Sequence, residues 1–394
     1  LDRRATPQVE WLREHIGEER CRETSANRID SYFGGVKWLW YRQSEPELFF
    51  RTWKILQATS FIGLRLTGQT FIDPSQAGLC SPCFNPHTRS WDEAICAEMG
   101  LPLDLLPEIH PSAAVVGQVT RWAAQESGLP EGVPVVCGGG DFACSCLSTG
   151  IAGKNQAALM LGTAGNLLFP GAENRDSRLL HTIHLTGEPL PFGGVLAGTN
   201  LRWFSGLLGD AGPNLYTRLD QEAAAVPAGS EGLVYLPYLL GERTPVWDPA
   251  ARGAFIGLSA RHTRAHLYRA VLEGVAYAFR QISQIVGMTE AGTNAIVAID
   301  GGARSPLWRS ILASVIGTPV IEGGARSGTA LGSAFLAALG SGKAATFSEL
   351  TAWTETLGRS EPSPAGRQAY ERLYPVFAGL YEKLKDDFGI LSQG

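Results

Sequence analysis

The order of apolar runs beyond residue 150 constrains this chain most. Residues 157–169, 181–185 and 193–198 read as three consecutive strands, and a helix over 199–209 follows them. An apolar run at 233–239 precedes a long helix over 263–286. Leu267, Ala270, Val271, Gly274, Val275, Ala278, Ile282 and Ile285 share one face of that helix. Then come a strand at 295–300, a helix at 305–316, a strand at 319–321 and a helix at 329–339. Ser305 is a good N-cap, Pro306 a good first helical residue and Gly317 a good left-handed terminator. A last helix carries Tyr370, Leu373, Tyr374, Phe377, Leu380, Tyr381 and Leu384 as a stripe. Strands that give way to helix–strand alternation describe an α/β unit.

The first part reads differently. Helices are expected over 6–16, around 36–40 and over 48–66. A loop-rich stretch at 69–113 has Pro at 74, 82, 86, 102, 107 and 111. A short buried strand at 133–137 runs into Gly138-Gly139-Gly140-Asp141. A boundary near Gly150-Ile151-Ala152-Gly153 divides the 394 residues into domains 1–152 and 153–394. The formal net charge of -5 argues against a nucleic-acid binder, which would show a basic surplus. No run of about 20 apolar residues is present, so no membrane span is expected. Seven cysteines, an odd number in a core-rich chain, fit a reducing cytoplasm better than a disulfide framework. Leu1-Asp2-Arg3-Arg4 reads like the middle of a longer protein.

Three turns can carry chemistry. Gly138-Gly139-Gly140-Asp141 opens a helix after a strand, so its carboxylate sits where the helix dipole favours it. It is either a cap or a base that takes a proton from a hydroxyl. Leu161-Gly162-Thr163-Ala164-Gly165 joins two strand-like runs. It is either an ordinary hairpin or a cradle of N–H groups for phosphate oxygens. Asp300-Gly301-Gly302-Ala303-Arg304-Ser305 is a strand-to-helix turn, suited to a nucleotide or to close helix–strand packing. Cys80-x-x-Cys83 has metal-like spacing without a matching second pair. His181-x-x-His184 and His262-x-x-x-His266 read as structural or solvated pairs.

Longer motifs carry a family resemblance. Gly253-x-Phe255-x-Gly257-Leu258, then His266-Leu267-x-x-Ala270-Val271-Leu272-Glu273, resembles the C-terminal signature of the FGGY carbohydrate kinases. Gly241-Glu242-Arg243-Thr244-Pro245-x-Trp247-Asp248-Pro249-x-x-Arg252-Gly253 is similar to the family pattern just before it. Leu66-Thr67-Gly68 and Asp73-x-Ser75-x-Ala77 match its N-terminal domain. Leu1-Asp2-Arg3-Arg4-Ala5 resembles the end of a substrate-side motif. The resemblance implies a two-domain α/β fold of the actin/hexokinase-like, ribonuclease H-like ATPase type, its first domain incomplete at the N-terminus. The family's first phosphate hairpin is then expected upstream of Leu1.

The roles implied by the resemblance are these. Asp141 matches the catalytic base, and Gly140 and Asp141 lie on the substrate side. Asp2 and Arg4 line or brace the sugar pocket. Gly162, Thr163 and Gly165 match a phosphate hairpin, and Gly198 approaches the nucleotide. Gly301, Gly302, Ala303 and Ser305 match the adenosine loop. ATP with Mg²⁺ is the expected phosphoryl donor, and a homodimer is within the family's range. Phe142 stands where Gln or Asn is usual, Pro74 for an aromatic, Ser60 for Asp and Ser327 for Glu. D-xylulose is the expected acceptor, because the Gly241–Pro245 and Gly302–Ser305 segments look like sugar-type versions. Glycerol, gluconate and deoxy-hexulose kinases remain alternatives. From another class, a non-catalytic sensor on this fold would be marked by loss of the base, yet Asp141 is present.

Overall fold

The computed structural model describes residues 2–209, 212, 214–288, 292–324 and 328–392. Leu1 and Ser327, both named above, lie outside the described residues. The chain divides into two compact units. One contains Leu1–Gly153, Pro170–Pro191 and Ser327–Trp353; the other contains Lys154–Phe169, Phe192–Arg326 and Thr354–Gly394. The first crossing falls between Gly153 and Lys154, one residue after the expected boundary. The expected block 153–394 differs in that two of its segments are counted with the first unit.

In the first unit, the helix Thr329–Gly340 packs on the helix Asp141–Leu147. The fit depends on small residues. A Cβ on Gly332 would collide with the Cys144 backbone, and one on Gly340 would collide with Val136. Side chains lock the pair, with Ser145 and Thr329 hydroxyls 2.7 Å apart. This packing draws a helix that is distant in sequence into the first unit. Helices Thr6–His15 and Gly34–Ser44 stand near their expected places. The single helix expected over 48–66 is instead two, Pro46–Phe50 and Ala58–Thr67. The chain between them is tied to a distant partner. Ile55 N–H donates to the Leu105 carbonyl at 2.8 Å, and Lys54 Nζ donates to the Asp104 and Leu106 carbonyls.

The second unit is built on a sheet with neighbours in the order Thr356–Ser360, Val320–Gly323, Ala295–Ile299, Gln156–Leu161, Ala164–Leu168 and Pro189–Leu196. The three strands Val320–Gly323, Ala295–Ile299 and Gln156–Leu161 run parallel. Ala164–Leu168 pairs antiparallel with each of its neighbours. The parallel strand Ala295–Ile299 is buried throughout, as a strand flanked on both faces requires. The helix Arg264–Val286 supplies much of the core, including Val271, Leu272, Val275, Phe279 and Ile282, all essentially unexposed. Each such side chain contributes about 1.5–3 kcal/mol on burial. Thr263 and His266 form a reciprocal cap at its start, and Gly287 ends it at φ +74°. Pro306–Ile316 begins on Ser305, whose hydroxyl accepts the Trp308 N–H at 3.0 Å, and ends at Gly317. Among the described residues no helix is long and apolar enough to cross a membrane.

Candidate functional site

The first unit carries the candidate base. The strand Pro134–Val136 leads into the glycine turn, where Gly138 adopts φ +79°. Side chains on the next two glycines would force their neighbours to shift. A Cβ on Gly139 would collide with Leu185, and one on Gly140 would lie 2.7 Å from the Phe142 ring. Gly140 N–H donates to the buried Ser75 hydroxyl at 2.9 Å. Ser75 is fixed in turn. Its N–H donates to Asp73, and its carbonyl accepts the Thr182 hydroxyl. Asp73 is fully buried, caps Pro74–Ala77 and accepts the Ser112 hydroxyl at 3.1 Å. Burial pushes its carboxyl pKa up, against the hydrogen bonds from Ser75 and Gln76. The Asp73-x-Ser75-x-Ala77 motif is thus the brace of the glycine turn. Asp141 emerges from that turn as the first residue of its helix, exposed, with one carboxylate oxygen accepting the Phe142 N–H.

Asp2 and Arg4 meet in an ion pair of 2.9 Å, and Arg4 lies over the Trp40 ring. Hydrogen bonds from the Arg4 backbone and side chain hold the Asp2 carboxyl below its ordinary range. Together they line a cavity of about 110 Å³ with Lys37, Trp40 and Tyr41. Gly140 and Asp141 are not part of that lining. Lys37 also borders a larger cavity of about 600 Å³. The sequence reading passed over Lys37, whose only signal was a cation within an apolar helix.

The second unit gathers most of the expected nucleotide residues. Gly162, Thr163, Gly198, Gly301, Gly302 and Ser305 line one cavity of about 380 Å³. Gly162 and Thr163 form the two-residue loop between Gln156–Leu161 and Ala164–Leu168. The helix Gly198–Leu207 grips this loop from its carbonyl side, with Gly198 N–H on the Gly162 carbonyl and Thr199 N–H on that of Thr163. Gly198 must be glycine, since a Cβ would lie 2.7 Å from the Gly162 oxygen. Two expected residues are placed elsewhere. Gly165 faces the long helix, where a Cβ would lie 2.5 Å from Phe279, and Ala303 is buried. Gly302 borders the cavity, but a Cβ on it would meet Leu161 and Trp308, so packing alone demands a glycine there. Gly301 has open space.

The cavity also contains residues that sequence reasoning missed. Arg202 donates to the Thr163 hydroxyl at 3.2 Å and places a cation beside the loop. Tyr216, Asp220 and Tyr268 line another part of the wall. Asp300 sits just before the Gly301–Arg304 turn at φ +74°, rare for a residue with a side chain. Its carboxylate comes within 3.4 Å of where a Gly162 Cβ would be. Although the residue is largely exposed, partial desolvation raises its carboxyl pKa. Among the described residues, no three His, Cys, Asp or Glu side chains could together hold a metal ion. All seven cysteines are free and buried.

Comparisons with known proteins bear on both units. Residues 1–148 match the N-terminal domain model of the FGGY family of carbohydrate kinases, and 184–341 match its C-terminal domain model. A xylulose kinase of Bacillus subtilis is 31% identical over 395 residues, covering 98% of this chain and 78% of that protein. An autoinducer-2 kinase of an Enterobacter species is 30% identical over 90% of this chain and 69% of its own length. The crystal structure of xylulose kinase from Rhodospirillum rubrum superposes with a TM-score of 0.90. It is 34% identical, and the match covers 98% of this chain and 79% of that one. Two family models that together take in most of the chain, with an α/β fold that superposes on a solved member, establish that the chain belongs to the FGGY family of carbohydrate kinases.

Proposed function

We propose that the chain transfers the γ-phosphoryl group of ATP to a hydroxyl of D-xylulose, with Asp141 as general base. The observation that carries this reading is the Asp141 carboxylate. It is exposed at a helix start and presented by a glycine turn braced through Ser75 and Asp73. Asp141 takes the proton of the acceptor hydroxyl as the sugar oxygen bonds to the γ-phosphorus. The bond from that phosphorus to the β–γ bridging oxygen breaks, and ADP leaves. Such transfers depend on positioning and charge stabilisation more than on covalent chemistry. Asp2 and Arg4, with Trp40 beside them, supply polar groups and an aromatic face suited to a sugar. In the second unit, the Gly162-Thr163 loop and Arg202 would hold phosphate oxygens.

A Mg²⁺ ion that travels with nucleotide phosphates needs only one or two protein carboxylates. Asp300, beside the Gly162 loop, fits that need and would hold it. When bound, the ion neutralises charge on the phosphates. The xylulose assignment is supported by the names of relatives at about 30% identity, such as that of Bacillus subtilis.

A coupled kinase assay of the full chain over ketoses, polyols and aldonates tests the proposal. D-xylulose is expected to give the highest kcat/KM. Asp141→Asn is expected to lower turnover about 10²- to 10⁴-fold with ATP affinity retained. Wild-type-like turnover in Asp141→Asn would remove Asp141 from the mechanism, and preference for another acceptor would replace D-xylulose.

A further inference from the structure

The nucleotide cavity holds a carboxylate that phosphate binding does not use. Tyr216 and Asp220 are four residues apart on the helix Leu215–Ala224, so they share a face, and both line the cavity. Asp220 is half-buried. Tyr268, 2% exposed in the first turns of Arg264–Val286, donates its phenol proton to Asp220 Oδ1 at 3.1 Å. Ser305, whose hydroxyl accepts the Trp308 N–H, lines the same cavity. A hydroxyl donor from another helix therefore fixes the carboxylate. An ionised carboxylate offers about four acceptor sites, so it keeps capacity for a ligand donor.

What that ligand group is follows from charge and shape. Phosphate oxygens are repelled by a carboxylate, and the cation suited to them, Arg202, is bonded to Thr163 at the hairpin. Asp220 therefore belongs to the nucleoside. Tyr216 decides between ribose and base. It is an aromatic ring one turn before a carboxylate on the same helix face, and both line the cavity. That pairing suits a flat heterocycle carrying an exocyclic amino group. We propose that Asp220, positioned by Tyr268, accepts a hydrogen bond from the 6-amino group of adenine and sets the preference of this kinase for ATP.

This proposal rests on the second-unit cavity being the nucleotide site. The experiment is calorimetric titration of the full chain, without sugar, with ATP, purine riboside 5′-triphosphate (which lacks only the amino group), 2′-deoxy-ATP and GTP. Wild type, Asp220→Ala, Asp220→Asn and Tyr268→Phe are compared. Wild type is expected to bind ATP about 10- to 100-fold more tightly than the purine riboside triphosphate, the range for a hydrogen bond to a charged group. Asp220→Ala is expected to bring that ratio below about threefold, mainly by weakening ATP, and Tyr268→Phe to reduce it in part. Equal wild-type affinity for the two purines overturns the proposal. So does an equal loss for both in Asp220→Ala, loss of discrimination against 2′-deoxy-ATP instead, or wild-type binding of GTP as tight as ATP. If Asp220→Ala does not fold, the wild-type ratio and the isosteric Asp220→Asn decide. A wild type that binds none of the four contradicts the nucleotide site itself rather than the role of Asp220.

Discussion

Replacing Arg269 with methionine is expected to destabilise the second unit strongly without touching the nucleotide cavity directly. Arg269 and Glu273 form an ion pair of 2.8 Å one turn apart on the long helix, with side chains 8% and 1% exposed. Glu273 also accepts the Gly229 N–H at 2.9 Å, the Ser230 hydroxyl at 2.8 Å and the Tyr370 hydroxyl at 3.0 Å. Arg269 donates further to the Ala223 carbonyl and to Tyr370. Methionine fills most of the arginine's space but leaves a buried carboxylate without its countercharge and the Ala223 carbonyl without this donor. Breaking a buried pair from one side costs about 3–5 kcal/mol. The three donors that stay on Glu273 place this site near the lower end, about 3 kcal/mol. For a unit of this size that is a fall in Tm of roughly 6–12 °C. Glu273→Gln should cost a similar amount. The double variant should cost about 2 kcal/mol less than the sum, because both changes remove the same interaction. Thermal and urea unfolding of the three variants measure this, with ATP titration confirming unchanged affinity per folded molecule. A cost below about 1 kcal/mol for Arg269→Met, or strict additivity in the double variant, would refute the view that this signature glutamate is an architectural tie.

Gly302→Ala is expected to destabilise the fold through Leu161 and Trp308, whereas Gly301→Ala, with open space, should leave Tm within about 1 °C; equal Tm losses would contradict the packing reading. Burial pushes the Glu242 carboxyl from 4.5 up to about 8. Between those values the folded state keeps a proton that the unfolded chain releases, so stability falls as pH rises through the window and levels off above it. The change is on the order of 5 kcal/mol, and Glu242→Gln should flatten it; a wild-type stability that rises over the same window would exclude this account. The buried Cys80 and Cys21 thiols, both pushed up to about 12, should resist alkylation near neutral pH until the protein is unfolded; rapid labelling of the native chain would contradict their burial.

What could be read from the residues was chemistry that acts over a few positions. Ser305, Pro306 and Gly317 mark the ends of Pro306–Ile316 because capping is local. Gly138 to Asp141 mark a strand-to-helix turn for the same reason. Glycine patterns were ambiguous, since a ligand and a packed side chain forbid the same Cβ. Only the neighbours show that Gly165 faces Phe279 while Gly301 faces open space. Supports that span long separations left no signal in the sequence. The segment after Phe50 has helical periodicity, yet its backbone bonds to Leu105, a partner that no local pattern names. Asp220 was hidden differently, because a charge on an amphipathic helix normally marks its solvated side. Its proposed role depends on Tyr268, which comes from another helix. The FGGY motifs divide along the same line. The Gly241–Pro245 segment is largely a clasp: Thr244 both donates to and accepts from the Gly194 backbone, and Glu242 pairs with the Asp248 backbone. Asp73 and Ser75 brace the glycine turn rather than touch a ligand in their own right. Such ties hold the sheet and turns in register. On the function proposed above, acceptor preference would be set by cavity-lining residues such as Lys37 and Trp40 rather than by these ties.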